Sequence, residues 1–429
     1  MHKTKSWVLS TDLPLFFYFI STIFMIFLSV PAIHDWPDRW AQITISLACI
    51  LTTLSVFIKN IPTRPSQRKN WPKELKLVLI IMLLGAFNIY FSEDRSASLK
   101  GMGLFLMSGI MIFSATFFLF QSRKNQNLFL MLCFASFVAL TFYGIFEFFQ
   151  SLIYSGRRIL LLSSNPIPAG SLLILLSTGP LLLFSKTKFT WQKVLLFSFL
   201  LLGILLIFLI GQRGPIATIL VMGLIWGTRK RQALAIFTLT LLALIVVGYL
   251  FKDVIPMHYK KQLLKKETIL VRLEFYNVAW QVIKDKPFWG VGFNAPIKKY
   301  VPDSYKPKFY PTDSKYTFPS IITGVETFDN MALFFLGQTG LLFSGVYGYL
   351  IFYLINNWHQ KINENAGIKQ QSLLLLTVLI GFAIHSMTYD SLQYPHLNWL
   401  VHSLLGLMAN YSLFQQEVPL NSRNIFTER

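Results

Sequence analysis

The sequence predicts an all-α polytopic membrane protein with about 12 transmembrane helices and one large periplasmic segment between helices 9 and 10. Three observations predict it. The 429 residues are 54% hydrophobic and only 14% charged, where soluble domains carry about 25% charged residues. Apolar runs long enough to cross about 30 Å of hydrocarbon recur along the chain, and mean hydropathy is +0.52. Lys and Arg collect in alternate loops, as they do in proteins that keep cations on the cytoplasmic side.

Candidate spans fall near 13–31, 41–58, 75–91, 99–120, 128–153, 169–185, 193–210, 215–227, 233–251, 331–355, 371–390 and 396–412. The first run, Leu13 to Val30, lacks a small-residue cleavage site and reads as a retained span. The 40 Phe residues suit helix faces in contact with lipid. Between 252 and 330 the chain is polar and Pro-rich, with no run long enough to span. The expected organisation is an N-terminal transmembrane bundle of about nine helices over 1–251 and a periplasmic segment with amphipathic helices over 252–330. About three more transmembrane helices follow over 331–412, then a cytoplasmic tail over 413–429.

Orientation follows from the loops. Lys59, Arg64, Arg68, Lys69, Lys73 and Lys76 lie near one connection. Arg123/Lys124, Lys186/Lys188/Lys193 and Arg229/Lys230/Arg231 mark alternate connections after it. The intervening loops are poor in cations, so both termini are expected in the cytoplasm and 252–330 outside. The net charge of +20 is then topological, and no nucleic-acid partner is implied. Cys49 and Cys133 lie in apolar runs and suggest no disulfide or thiolate metal site. Nucleotide-binding fingerprints, His-Glu-x-x-His helices and paired-Cys metal motifs are all missing from the sequence, which lowers the case for ATP-driven transport or metalloprotease chemistry.

Topology explains cations inside, not outside. Arg213 stands in Ile210-Gly211-Gln212-Arg213-Gly214-Pro215, a tight turn at the outer boundary. An ionised group there costs roughly 3 kcal/mol on insertion scales unless it is paired or solvated. It either snorkels to head groups or grips an anionic ligand. Arg272 opens an amphipathic helix expected from Ile269 to Ile283, with Leu273, Tyr276, Val278, Trp280 and Ile283 as its apolar members. A surface salt bridge with Glu274 is its plain alternative role. Lys260, Lys261, Lys265 and Lys266 form a basic run suited to anionic membrane lipids, and Arg157 and Arg158 also fall outside. Guanidinium forks suit phosphate because they give bidentate, charge-assisted hydrogen bonds and stay ionised. Several at one membrane face suggest a lipid-linked phosphate or pyrophosphate.

Three motifs carry a family resemblance. They are Gln212-Arg213-Gly214; Arg272 to Phe293, "RLEFYNVAWQVIKDKPFWGVGF"; and Asp329-Asn330-Met331-Ala332-Leu333 followed by Gly337-Gln338-Thr339-Gly340-Leu341. In order, spacing and side, the chain resembles the O-antigen ligase and O-antigen polymerase superfamily of bacterial membrane glycosyltransferases. The resemblance implies an inner-membrane enzyme of lipopolysaccharide biosynthesis with a periplasmic active site. It implies a metal-independent, inverting transfer with no cofactor, from a glycan on undecaprenyl pyrophosphate to an acceptor hydroxyl. Lipid A-core is the expected acceptor of a ligase and another lipid-linked glycan that of a polymerase. Arg213, Arg272 and Arg158 would hold the donor pyrophosphate. Asp329 stands where ligases usually have His and would serve as base, with Glu326, Asn330 and His385 as possible support. Asp329 could also be the helix N-cap of the tenth span. His385, His396 and His402 read as bundle-interior histidines. Tyr300, Tyr305, Tyr310 and Tyr316 read as an interfacial belt or sugar-stacking rings. A carrier of lipid or anionic solute is the alternative of another class; such proteins place ionisable groups at mid-bilayer, whereas here they cluster outside.

Overall fold

Alternating polar caps and apolar runs fold here into helices joined by short turns. The computed structural model describes residues 9–27, 38–60, 72–153, 159–161, 166–227, 238, 267–302, 304–309, 328–364 and 366–411. Among these there is no β-strand, and the described part of the chain is all-α. The helices are α1 Leu9–Phe27, α2 Asp38–Asn60, α3 Lys73–Phe91, α4 Arg95–Leu119, α5 Arg123–Ile153 and α6 Pro166–Lys186. They continue as α7 Thr190–Ile210, α8 Arg213–Gly227, α9 Glu267–Asp285, α10 over 331–364, α11 Ala366–Ser386 and α12 Pro395–Tyr411. Six of them (α3 to α7 and α10) are long and apolar enough to cross a membrane. Apolar stretches of α1, α2, α8 and α11 are shorter. The ninth expected span, 233–251, lies outside the described residues except at 238, and 252–266, 310–327 and the tail 413–429 lie wholly outside them.

The last helix is the axis of the bundle. Nearly every side chain of α12 is buried, and its polar groups are matched rather than excluded. Asn398 Nδ2 donates to Phe105 O (2.9 Å) and Ser108 Oγ (2.8 Å), where α4 opens into a π-helical stretch, Leu106–Met111. Trp399 Nε1 donates to Thr22 Oγ1 on α1, and Tyr18 on α1 donates to Ser403. Such bonds join helices where lipid offers no competing partner. Around this axis the exposed large side chains are apolar, Phe142, Phe146 and Phe149 of α5 among them. Cys49 and Cys133 are buried and unpaired.

Short connections reverse the chain, so alternate turns share one end of the bundle. Lys186 donates to Asn127 at one end (2.7 Å). At the other end meet the α3–α4 turn, the start of α8, residues 287–300, the residues before α10 and the α11–α12 turn. The expected amphipathic helix is α9, but its buried side is Glu274, Phe275, Val278, Ala279 and Val282, while Leu273 and Trp280 are exposed. Positions 275, 278, 279 and 282 keep the i, i+3, i+4, i+7 stripe that a helix can bury together. The expected span 371–390 stops at Ser386. Residues 387–394 turn away instead, because Asp390 and the Met387 carbonyl bind the chain just before α10.

Candidate active site

The second and third motifs are two halves of one structure. After α9 the chain turns at Lys286-Pro287 and lies along the start of α10. Val291 N donates to Gly337 O (3.1 Å), Gly292 N to Gln338 O (2.9 Å) and Leu341 N to Pro287 O (2.8 Å). Those carbonyls are accessible because α10 begins with a π-helical stretch, Phe335–Thr339, that ends at Gly340 with φ +73°. A Cβ on Gly340 would lie 2.2 Å from Phe288 O, and one on Gly290 2.3 Å from Gln338 O. Glycine is required at both for close approach and for the left-handed backbone. Asn88 of α3 clamps the two halves. Its amide donates to Trp289 O (2.7 Å) and Gln338 O (3.0 Å) and accepts from Phe293 N (3.2 Å). The side chain of Gln338 accepts from Asn294 N.

This latch sets Arg272 against Asp329. Arg272 Nε lies 3.4 Å from Asp329 Oδ2, with each side chain 26% exposed. Among the described residues, the Nη groups of Arg272 have no hydrogen-bond partner. The expected alternative bridge to Glu274 is not made. Glu274 is fully buried on another side of α9 and accepts from Tyr305 Oη (2.5 Å), Lys308 N (2.8 Å) and Phe309 N (2.7 Å). Residues two apart on a helix do not face each other. Tyr305 and Tyr300 are correspondingly braces rather than belt residues, Tyr300 donating to Asp285 (2.8 Å).

Nor is Asp329 the cap of α10. Asn330 is, with Oδ1 accepting from Ala332 N (3.0 Å) and Leu333 N (3.1 Å) while Nδ2 donates to Met387 O (2.9 Å). Asp329 is left in a left-handed conformation, φ +51°, uncommon for a residue with a side chain. Asp390, itself buried, holds it there by accepting from Phe328 N and Asp329 N at 3.1 Å each. Burial pushes the Asp329 carboxyl above the usual carboxylate range, and Arg272 pulls it back down. Tyr389 and Tyr394 stack beside it and join through their hydroxyls. Burial pushes both phenols up, and the charges of Asp329 and Asp390 add to that.

Arg213 is the half-buried first residue of α8. Gly214 beside it packs on α11, since an added Cβ would lie 2.6 Å from His385 Nδ1 and 2.7 Å from Thr388 Oγ1. His385 is fully buried, and Arg272 acts on it electrostatically. His396 and His402 are interior as expected, with His402 bonded to Asn398 O (2.9 Å) and facing Tyr347 Oη (3.3 Å). Thus Arg272, Asp329, Asn330, His385 and the Arg213-Gly214 turn come together. Arg157, Arg158, Glu326, Tyr310 and Tyr316 lie outside the described residues. No cluster of three His, Cys, Asp or Glu among the described residues is placed to hold a metal ion.

Sequence reading did not anticipate Asn88 or the roles of Asp390, Tyr389 and Tyr394. A polar residue inside an apolar run was the available signal for Asn88. No curated protein matches the chain. Residues 196–353 match the family model described as O-Antigen ligase, a stretch that runs from α7 into α10 and carries Arg213, Arg272, Asp329 and the latch. The three motifs lie inside that stretch and converge on one site, and the match supports their resemblance to the O-antigen ligase and polymerase superfamily.

Proposed function

We propose that this protein is a membrane glycosyltransferase that moves a glycan from undecaprenyl pyrophosphate to an acceptor sugar hydroxyl, as an O-antigen ligase acting on lipid A-core. The observation that carries it is the Arg272–Asp329 pair, held by the two interlocked motifs of the family stretch. The chain crosses the inner membrane about twelve times, with both termini in the cytoplasm and this site at the periplasmic face.

The chemistry is a displacement. The acceptor oxygen attacks the anomeric carbon from the face opposite the diphosphate, and configuration inverts. The bond from that carbon to the diphosphate oxygen breaks, its electron pair leaving with the diphosphate. The acceptor proton passes to Asp329, whose burial raises its proton affinity toward that of a useful base. Arg213 and Arg272 neutralise the charge developing on the leaving group, the electrostatic task for which fixed cations are most effective. A second family member's activity, glycan polymerisation, is favoured by one observation: Asp rather than His precedes Asn330.

Surface-glycan profiling of a deletion strain, complemented with wild type, Arg213→Ala, Arg272→Ala or Asp329→Ala, tests this. Core-only lipopolysaccharide with accumulated lipid-linked chains, restored by wild type alone, is the ligase result. Single repeats on the core identify a polymerase. An unchanged ladder on deletion removes the protein from O-antigen transfer and turns attention to a carrier.

A further inference from the structure

Three interior histidines distinguish themselves by what their rings meet. The ring of His402 is bonded through Nδ1 to a carbonyl and faces a phenol. That of His396 lacks hydrogen-bond partners among the described residues, lies edge-on to Tyr394, and no charged group among them acts on it. His385 also lacks a partner at both Nδ1 and Nε2 among the described residues, although it is 0% exposed. An unmet buried polar group costs about 1–3 kcal/mol. Unlike His396, this ring packs against a helix N-terminus and feels the charge of a guanidinium, that of Arg272.

The helix is α8, fifteen residues long. Its first turn packs directly on the ring, since only glycine at 214 leaves room for His385 Nδ1 and Thr388 Oγ1. N–H groups of a first turn have no acceptor within their own helix, and together with the helix dipole they favour an anion. Pro215 contributes none, and Ile216 N already donates to Gln212 O (3.3 Å). The turn is fixed from the other side as well, with Thr388 Oγ1 donating to His385 O (2.8 Å). Arg272 adds its positive charge from α9.

We propose that the first turn of α8, His385 and Arg272 form one phosphate-binding site, in which the His385 imidazole donates a ring N–H to a phosphoryl oxygen of the diphosphate leaving group. An imidazole has such a donor in either protonation state. The proposal rests on the diphosphate-donor function and adds to it a ligand from α11, a helix that lies beyond the family-matched stretch. His385 would be a catalytic residue, touching the group whose charge grows as the glycosidic bond breaks, while Gly214 is the close-approach residue that admits it.

Inorganic pyrophosphate is the probe, titrated against the full-length protein in detergent and read as a thermal shift, with unliganded melting recorded for every variant. His385→Leu is expected to weaken pyrophosphate binding by about tenfold, the size of one charge-assisted hydrogen bond. His385→Gln, which keeps an N–H donor, is expected to recover most of that loss. If His385→Leu does not fold, His385→Phe against His385→Gln makes the same comparison. Arg213→Ala and Arg272→Ala serve as references. If both reference variants lose binding while His385→Leu, or its Phe substitute, binds like wild type, the His385 assignment is wrong and the diphosphate site stands. If neither arginine variant changes binding, the diphosphate function itself fails.

Discussion

Helix α9 treats two carboxylates in opposite ways. On one side Glu274 is sealed from solvent and saturated, its two oxygens taking a phenol, a side-chain amide and two backbone N–H groups from residues 305–309 and Asn277. On another, Asp329 stands against Arg272 through a single long contact, a quarter exposed, on a backbone that L-residues seldom adopt. Three of the four bonds that Glu274 accepts tie the 305–309 loop to α9. Asp329 ties little; it is instead positioned, by Asp390 from behind and by the Asn330 cap in front. A saturated carboxylate has no capacity left for a substrate, whereas a strained and sparsely bonded one does. Backbone strain of this kind costs about 1–3 kcal/mol and persists where surrounding structure imposes it.

That contrast can be broken most decisively at the sparsely bonded side. Arg272→Ala and Asp329→Ala are each expected to lower glycan transfer by roughly 10²–10⁴, the range for loss of an electrostatic stabiliser or a general base. Melting in detergent should change little for either. Full transfer by Asp329→Ala would leave the two carboxylates without a functional difference.

Glu274→Ala should show the reverse pattern. Four donors lose their acceptor, and we expect a loss of about 2–4 kcal/mol in stability. Activity per folded molecule should be largely kept. Melting temperature and specific activity, measured on one preparation, separate the two outcomes.

The pH profile sharpens the assignment further. A base must be ionised to work, and burial raises the proton affinity of Asp329. Transfer should therefore rise with pH along an acid limb lying above that of an ordinary carboxylate. Arg272 opposes the shift, so Arg272→Gln should move the limb to still higher pH in whatever activity remains. A limb that moves down on removing Arg272 would mean that the titrating group is not beside it.

The smallest effect belongs to the cap. Asn330→Ala should cost about 1 kcal/mol through the unmet N–H groups at the start of α10. Asn330→Asp keeps the cap and loses the bond to Met387 O, so it should fall between wild type and Ala. Thermal melting of the three proteins orders them.

Much of this was written locally in the chain. Arg213 and Arg272 stood out because cations at the expected outer ends of apolar runs need a reason to be there, whereas Asp329 and Asn330 came into view through the family resemblance. The order of the three motifs was equally visible. What could not be read was partner choice. Arg272 was open to Glu274, two residues away, although helix periodicity turns those side chains apart; it meets Asp329, 57 residues further on. Asp329 and Asn330 are both good caps, and the bond from Asn330 to Met387 O helps fix which one is used. The apolar members of α9 were misassigned at Leu273 and Trp280 because hydrophobicity does not say which side of a helix meets the protein and which is left exposed.

The sequence by itself determined that the chain is a helical membrane protein, where most of its helices lie and which residues deserved suspicion. Run length, loop charge and capping residues act over a few turns and need no distant partner. Only the tertiary structure decided that the second and third motifs are one latched unit, that Asn88 clamps it, and that Asp390 aims Asp329. Those decisions depend on backbone carbonyls exposed by a π-helical stretch and on glycines that permit close approach. Such contacts exist only once α3, α9, α10 and α11 have packed.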